Sequence, residues 1–445
     1  MTDLTSGNVA KQILKFALPM LLGSIFQQLY SIVDTIIVGK YLGKEALASV
    51  GASFPIIFTI IALVIGIGSG ASVVISQYYG AKDEDNVRKA VDTLNIFLLI
   101  TGVAISVVGI LISRWIFALL QLPNELLESA MTYLNIYLMG MVVFFGFNSI
   151  TSILRGVGDS KNPLYYLIIA TFLNIGLDLL FILKFNWGIA GAAWASVIAQ
   201  AAAFLIAVVH VNKRHSVIRL AIVGITFNWE IFKQSVRIGL PTGIQHTFVA
   251  LGMMALMGIV NTFGTNVIAG FTGASRIDSL AAIPAMTLSV ALSVFVGQNI
   301  GAKKVERIYK GLRVALIFAS VISVVMSIVA IFWSVPLMKL FSNDAAVIAV
   351  GREYLITVSL FYLLFSTMFV FNGLLRGAGA TLIPMFITLF SLWLVRIPLA
   401  VFLSKHFGER GIWWAIPIAW FFGALGAFVY FRTGKWKNKG VVKVE

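Results

Sequence analysis

The chain has 445 residues, of which 59% are hydrophobic and only 11% are charged, and its mean hydropathy is +0.96. A water-soluble protein of this length needs more charged residues on its surface, so the composition excludes a soluble globular protein. There is no cysteine, which excludes disulfides, thiolate metal sites and thiol nucleophiles, while a formal net charge of +15 fits either nucleic-acid binding or positively charged cytoplasmic loops.

Twelve apolar segments follow one another along the chain, and each is long enough to cross a hydrocarbon core of about 30 Å as a helix. The predicted spans are 13–38, 46–79, 91–112, 130–154, 163–183, 188–210, 232–257, 265–298, 313–335, 353–375, 383–403 and 411–431. The first contains Lys15 and Asp34 and lacks a small-residue cleavage site, so we expect it to be retained. The sequence therefore predicts an all-α polytopic membrane protein.

The basic residues are distributed unequally between the two sides of these spans. The side that holds both termini carries 23 Lys and Arg and the opposite side 8, with Arg276 and Arg396 inside spans. By the positive-inside rule the richer side is cytoplasmic, so we expect a plasma (inner) membrane protein with both termini in the cytoplasm. The surplus charge is then an orientation signal and not a sign of nucleic-acid binding.

The sequence contains an internal repeat at an offset of 221 residues. The segment QYYGAK at 77–82 matches QNIGAK at 298–303, and LRGVGDSKNP at 154–163 matches LRGAGATLIP at 375–384. Each half holds six spans, so both halves enter the membrane from the same face and the repeats are parallel. We predict two six-helix bundles, an N-terminal lobe (1–210) and a C-terminal lobe (232–445) joined by a cytoplasmic linker (211–231), around a cavity suited to alternating-access transport.

Three acidic residues, Asp34, Asp178 and Asp278, fall inside predicted spans. An ionised carboxylate at the bilayer centre costs roughly 2.5 to 3.5 kcal/mol on insertion scales, so such residues are usually kept for a function. Asn174 precedes Asp178 by four residues and shares its helix face. We expect Asp34 on the first span to face this pair, with Ser196 on the sixth span adding a hydroxyl.

This set of four residues suits two kinds of ligand. Two close carboxylates can share a proton, and four oxygen-bearing groups can bind a hard cation such as Na⁺. The alternative is that these residues only hydrogen-bond neighbouring helices. At an offset of 221 the repeat places Ala255, Val395, Leu399 and Pro417 at the equivalent positions. An asymmetric site argues for function, so we place the cation site in the N-terminal lobe.

Other polar or special residues within spans have more than one interpretation. Asp278 lines a substrate cavity or pairs locally with Arg276, and His246 faces the cavity or is an ordinary core histidine. Pro19 and Pro241 occupy similar places in the first and seventh spans and mark a hinge or a static kink. No catalytic constellation is found, so we expect neither an enzyme nor a cofactor other than a coupling ion.

Several segments together resemble the multidrug and toxic compound extrusion (MATE) transporters, in particular the DinF-type branch, over nearly the full length. These are Pro19, QQLYSIVD (27–34), FNSITSILRGVGD (147–159), NIGLD (174–178), GIAGAAWAS (188–196), SRID (275–278) and the two LRGxG turns. The resemblance implies twelve helices arranged as a V of two bundles, and efflux of organic cations against an inward H⁺ or Na⁺ gradient.

The resemblance also implies roles for individual residues. Asp34, Asn174, Asp178 and Ser196 match the family's N-lobe cation site, with Ser196 replacing the usual threonine. Gln27, Tyr30 and Asn148 match polar residues that line the same cavity. The seventh span lacks the glutamate that another branch uses in its C-lobe, which leaves no matching residue for coupling through the second lobe.

The expected function is therefore antiport of a small organic, cationic substrate by a monomer embedded in membrane lipids, without nucleic acid. The nearest alternative is a flippase or exporter of a lipid-linked or specific metabolite substrate. Because lipid-linked substrates are anionic, a flippase would need several basic residues in its cavity, and only Arg276 and Arg396 are candidates. A channel fits poorly with a site in one lobe only.

Overall fold

The structure is a computed structural model that describes residues 2–120, 122–214, 218 and 225–442, and every regular element within these ranges is a helix. Nine residues of the predicted linker (211–231), at 215–217 and 219–224, lie outside the described residues. The α-helices are α1 (Val9–Gly80), α2 (Glu84–Leu119), α3 (Asn124–Met139), α4 (Met141–Gly156), α5 (Lys161–Leu179), α6 (Gly188–Arg214), α7 (Trp229–Val260), α8 (Thr265–Gly301), α9 (Val305–Phe332), α10 (Ser334–Lys339), α11 (Ala345–Ser359), α12 (Tyr362–Gly377), α13 (Leu382–Leu389), α14 (Ile397–Phe407) and α15 (Glu409–Arg432). Segments of π-helix, Leu180–Lys184 and Phe390–Arg396, extend α5 and join α13 to α14.

Helix α1 contains two of the predicted spans. Its 72 residues would extend about 108 Å as one straight helix, more than three times the hydrocarbon thickness. The helical run is broken at Gly43, whose φ of 84° and ψ of −176° lie outside the helical region. A positive φ is easily adopted only by glycine, so Gly43 allows the chain to turn between the first and second spans with no further connecting residues.

The described residues support twelve spans. Nine helices are each long and apolar enough to cross a membrane, and the bent pairs α3–α4 and α11–α12, with bends of 48° and 52°, raise the number to eleven. Division of α1 at Gly43 supplies the twelfth. The all-helical fold and its twelve spans, predicted from the sequence, are thus confirmed.

The chain forms two compact units. Unit 1 comprises Met1–Thr2 and Leu18–Leu240, and unit 2 comprises Asp3–Ala17 and Pro241–Glu445. These bounds differ from those of the lobes expected from the sequence, because the first turns of α1 belong to unit 2 and those of α7 belong to unit 1. The tertiary contacts of a helix start, which the hydropathy pattern does not encode, decide its unit.

In unit 1, small residues bring the second part of α1 against α4. A β-carbon added to Gly68 would lie 2.8 Å from Ser152 Oγ, and one added to Gly156 would lie 2.9 Å from the Ser72 carbonyl oxygen. Both distances are shorter than ordinary van der Waals contact. The two helices therefore pack through glycine and serine, as is common between membrane helices.

Unit 2 uses the equivalent positions, 221 residues later, to pack α8 against α12. A β-carbon on Gly373 would lie 2.3 Å from the Ser289 carbonyl oxygen, and one on Gly377 would lie 2.2 Å from that of Ser293. Gly68 and Ser152 of unit 1 correspond to Ser289 and Gly373 of unit 2, so at this contact glycine is on α1 in unit 1 but on α12 in unit 2. Both units therefore have a contact between small residues here, but a different helix supplies the glycine.

Candidate cation site

Four side chains predicted to form a cation site come together inside unit 1. Asp34 extends from α1, Asn174 and Asp178 from α5, and Ser196 from α6. Asn174 and Asp178 are one helical turn apart and have no exposed surface, while Ser196 is 4% exposed. The short connection between α5 and α6 makes these two helices neighbours, which brings the acid, amide and hydroxyl to one place.

Hydrogen bonds connect this set. Tyr30 Oη and Ser196 Oγ lie 3.0 Å apart. In the orientation that pairs both ends of its amide, Asn174 donates to Asp178 Oδ2 at 3.0 Å and accepts from the Ser196 N–H at 3.3 Å. The amide therefore holds Asp178 through one end and α6 through the other.

The carboxyl groups of Asp34 and Asp178 lie close enough to interact directly. Ionised carboxylates only accept hydrogen bonds, so a hydrogen bond between the two groups forms only when they share a proton. Asp178 Oδ1 is buried and has no hydrogen-bond partner in the structure. The pair can thus exist in a protonated form with a spare acceptor, or in an ionised form that would attract a cation.

Two tyrosines that the sequence reasoning missed lie close to this pair. Tyr133 and Tyr137 of α3 are near enough to Asp34 to interact with it electrostatically. Their ring centroids are 6.2 Å apart, and Tyr137 stacks on Phe144 at 4.5 Å. Tyr133 has an equivalent in the repeat, Tyr354, and this duplication was the signal in the sequence.

Gln27 and Asn148, predicted to line the substrate cavity, stand apart from the hydrogen bonds around the acids. Asn148 donates to the Phe144 carbonyl of its own helix at 2.8 Å. The side chain of Gln27 is exposed on α1, one turn before Tyr30. Their role in binding a substrate stays a prediction.

The third intramembrane acid, Asp278, belongs to unit 2. Its Oδ2 accepts a hydrogen bond from Tyr354 Oη at 3.3 Å, and Arg396 is close enough to interact with it electrostatically. Arg276, considered as a local partner from the sequence, lies instead on the exposed part of α8. Asp278 opens on a cavity inside unit 2 that is also lined by Ala281, Ala282, Ser323, Tyr362, Phe365, Ser366 and Trp420.

His246 lies within unit 2, whereas Pro19 lies in unit 1 close to the point where α1 changes unit. His246 lies on α7 within unit 2, where Arg376 is its charged neighbour, and the adjacent Gln245 donates to Thr388 Oγ1 at 2.6 Å. Pro19 lies inside α1, one residue beyond the point where that helix passes from unit 2 to unit 1. A role for His246 in substrate binding and for Pro19 as a hinge stay predictions.

A metal cation would need more than acidic ligands here. No group of three or more His, Asp or Glu that could hold a metal ion occurs within residues 2–120, 122–214 and 225–442. The oxygen atoms of Asn174 and Ser196 would have to complete a site begun by Asp34 and Asp178. Two carboxylates, an amide and a hydroxyl are all oxygen donors of the kind that hard cations prefer.

The fold and this site together define a multi-pass membrane protein built of helical repeats, with an acidic pair buried in its first half. The family model MatE matches residues 19–180 and again residues 241–402, and the chain belongs to this family, that of the MATE transporters. The two matches cover the two halves of the internal repeat.

Relatives match the chain over nearly their whole length. The probable multidrug resistance protein YpnP of Bacillus subtilis is 34% identical, covering 98% of this chain and 97% of its own. The probable multidrug resistance protein NorM of Thermotoga maritima is 30% identical, with coverages of 98% and 95%. A solved structure of a MATE multidrug resistance transporter in an outward-facing conformation superimposes with a TM-score of 0.91 at 27% identity, covering 97% of each chain.

Proposed function

We propose that this protein is a secondary antiporter that exports small organic cations from the cell in exchange for protons. The observation that carries the proposal is the close approach of the Asp34 and Asp178 carboxyl groups inside a MATE transporter, since two carboxyl groups this near each other favour sharing a proton. Relatives described as multidrug resistance proteins support drugs as one group of substrates. The positive-inside rule supports a plasma-membrane location with cytoplasmic termini.

The acid pair explains how a proton and a cationic substrate exclude each other. When both acids are ionised they attract a cation, and the aromatic rings of Tyr30, Tyr133 and Tyr137 add favourable cation–π surface. A proton that enters from outside neutralises one acid and allows a hydrogen bond between Asp34 and Asp178. The charge of the pair falls from −2 to −1, which weakens the attraction for the substrate. The proton shifts the conformational equilibrium only as far as it binds the two states differently.

Na⁺ is the competing coupling ion at the same residues. Its binding would require the shared proton to leave and Asn174 and Ser196 to contribute oxygen atoms. We further propose that the monomer, surrounded by membrane lipids, is the functional form, because the acid pair and its hydrogen-bond partners all come from one unit of one chain.

The test is efflux of a fluorescent organic cation from proteoliposomes under an imposed pH or Na⁺ gradient. Wild type, Asp34→Asn and Asp178→Asn are compared with Asp85→Asn, an exposed acid at the start of α2, as the control. We expect a pH gradient to drive efflux by wild type and Asp85→Asn only, with all variants folded in the membrane.

Other outcomes have definite meanings. Efflux driven by Na⁺ but not by a pH gradient assigns the same residues to Na⁺. Full transport by Asp34→Asn refutes the carboxyl-pair mechanism. If wild type is inactive under both gradients, a flippase or a dedicated exporter of an anionic metabolite replaces cation efflux as the function.

A further inference from the structure

The residues that precede α1 are bound into unit 2. Leu4 has no exposed surface. Its N–H donates to Gln298 Oε1 at 3.0 Å, and its carbonyl accepts from Asn299 Nδ2 at 3.1 Å, at the end of α8. A buried apolar side chain with both main-chain groups paired indicates a specific binding position for this segment.

Arg307, near the start of α9, is the centre of this binding position. Its guanidinium donates to the carbonyls of Gly7 at 2.9 Å, Ser6 at 3.0 Å and Leu4 at 3.2 Å. It also donates to Gln12 Oε1 at 3.0 Å. Only the planar fork of arginine offers so many donors in fixed directions, so lysine would not replace it.

Lys304 completes the set, because its Nζ donates to the Thr5 carbonyl at 2.9 Å. The four consecutive carbonyls of residues 4–7 are therefore all bound by basic side chains from one short stretch of unit 2. We call residues 3–8 the anchor segment.

The anchor segment is also organised internally by Asp3. Its Oδ1 accepts from the Thr5 N–H at 2.8 Å and from Thr5 Oγ1 at 2.6 Å, and its Oδ2 accepts from Ser6 Oγ at 2.8 Å. Partial burial opposes ionisation, but these hydrogen bonds and Lys304 outweigh it and lower the pKa of Asp3. Asp3 is thus ionised at neutral pH, where the turn it holds is complete.

The first turns of α1 continue the same packing. Ile13 and Phe16 are 1% and 2% exposed, and the helix belongs to unit 2 as far as Ala17. From Leu18 the same helix belongs to unit 1, where it carries Asp34. Helix α1 is therefore fixed at its start in one unit and carries a member of the acid pair in the other.

Helix α7 shows the reciprocal arrangement in unit 1. The Asn228 N–H, just before the helix, donates to Thr93 Oγ1 at 3.0 Å, and Tyr78 Oη donates to Gln234 at 3.1 Å. The helix passes to unit 2 at Pro241. Both helices that begin a repeat thus start in one unit and continue in the other, which is hard to explain as an accident of one flexible terminus.

We propose that Arg307 is a positioning residue that keeps the anchor segment bound to unit 2 throughout the transport cycle, so that α1 deforms beyond Ala17 and transmits movement of unit 2 to Asp34. The proposal rests on the proposed antiport function. It assigns Arg307 no contact with substrate or coupling ion. The anchor is a fixed point and does not open and close.

Accessibility of a thiol at position 4 tests whether the anchor segment stays bound. The chain has no cysteine, so Leu4→Cys introduces a single thiol, and Ser6→Cys serves as the exposed reference. We expect maleimide to label Leu4→Cys on the order of 100-fold more slowly than Ser6→Cys, at rest and during gradient-driven efflux. Faster labelling of Leu4→Cys during transport, approaching that of Ser6→Cys, would show that the anchor releases and would overturn the proposal.

Substitution of Arg307 tests its effect on transport. Arg307→Gln is compared with Arg313→Gln, which removes an exposed arginine from the same helix. We expect Arg307→Gln to expose the position-4 thiol and to lower gradient-driven efflux about tenfold, which corresponds to about 1.4 kcal/mol. Substrate binding without a gradient should not change, and Arg313→Gln should behave as wild type.

The two readouts separate this proposal from the proposed function. An exposed thiol with undiminished efflux, or reduced efflux with a protected thiol, would each overturn the role of Arg307. If Asp34→Asn transports normally, the acid-pair mechanism fails, whereas the labelling result still decides whether the anchor holds.

Discussion

Asp178 shows how a carboxyl group is kept inside a membrane helix. The carboxyl group of Asp34 lies close to it, and the amide of Asn174 donates to its Oδ2. Asn174 in turn is held by the main chain of Ser196, whose hydroxyl pairs with Tyr30. Removing a member of such a network leaves its partners unpaired, which costs more than the hydrogen bond itself contributes.

Ser196 offers a test of this network because a threonine keeps the hydroxyl and an alanine does not. We expect Ser196→Thr to transport at close to the wild-type rate. Ser196→Ala should lower gradient-driven efflux about fivefold, since one neutral hydrogen bond contributes about 1 kcal/mol. Initial rates in proteoliposomes, normalised to the amount of folded protein, measure both; equal rates for the two variants would show that the hydroxyl is dispensable.

For individual residues, the sequence predicted the intramembrane acids but not the side chains that contact them. Asp34 and Asp178 are conspicuous because ionised groups are rare in apolar spans. Tyr133 and Tyr137 are not, because tyrosine is common in membrane helices. The pairing of Asp278 with Tyr354 and its closeness to Arg396 depend on helices far apart in the sequence. The local alternative, Arg276, was the only partner that sequence spacing suggested.

At the level of the helices, the repeat-related glycine contacts differ in tightness between the two units. The Gly377 contact in unit 2 leaves less room than the equivalent Gly156 contact in unit 1, with a new β-carbon 2.2 Å rather than 2.9 Å from a main-chain oxygen. A main-chain oxygen cannot rotate away as a side chain can. Unit 2 therefore has to separate α8 from α12 to accommodate even one methyl group.

These two glycines form a matched pair of substitutions. We expect Gly377→Ala to destabilise the protein by about 1 to 3 kcal/mol, the usual cost of overpacking. Gly156→Ala should cost less, because its contact is looser and alanine favours the helix by up to about 1 kcal/mol. The thermal unfolding temperatures of the two purified variants in detergent compare their stabilities. A larger decrease for Gly156→Ala than for Gly377→Ala would contradict the difference in packing.

The sequence predicted the spans well and their internal breaks poorly. Hydropathy located all the long helices because their length is set by the bilayer. The bend between α11 and α12 was not predictable, since Leu360 and Phe361 at the break are ordinary helix residues and packing within the unit decides their conformation. The break at Gly43, in contrast, falls between two predicted spans, 13–38 and 46–79.

For the molecule as a whole, the unequal distribution of Lys and Arg predicts an orientation. Asn343, an exposed residue between α10 and α11, should face the outside, and Asp85, exposed at the start of α2, the cytoplasm. Single cysteines at these positions in the cysteine-free chain report the orientation directly. We expect a membrane-impermeant maleimide added to intact cells to label Asn343→Cys and to label Asp85→Cys only after permeabilisation.

The reverse labelling pattern would place both termini outside and refute the orientation.

The internal repeat could be found without a structure, because two separated blocks of sequence share one offset. The bounds of the compact units, in contrast, could be found only from the structure. Whether residues 3–17 pack with the first or the second half depends on Gln298, Asn299 and Arg307, and neither hydropathy nor self-similarity contains that information.

The reciprocal assignment of the helix starts has a consequence for biosynthesis. The anchor segment is made long before its principal partner, Arg307, which lies 300 residues after Gly7. At about 5 to 20 residues per second, the ribosome needs roughly 15 to 60 seconds to reach it. During that interval the first helix is inserted with its leading turns unmatched, and unit 1 is itself incomplete until Leu240 has emerged. The first unit is therefore completed only after the second repeat has begun to emerge, and the second unit needs a segment that was made before the first unit.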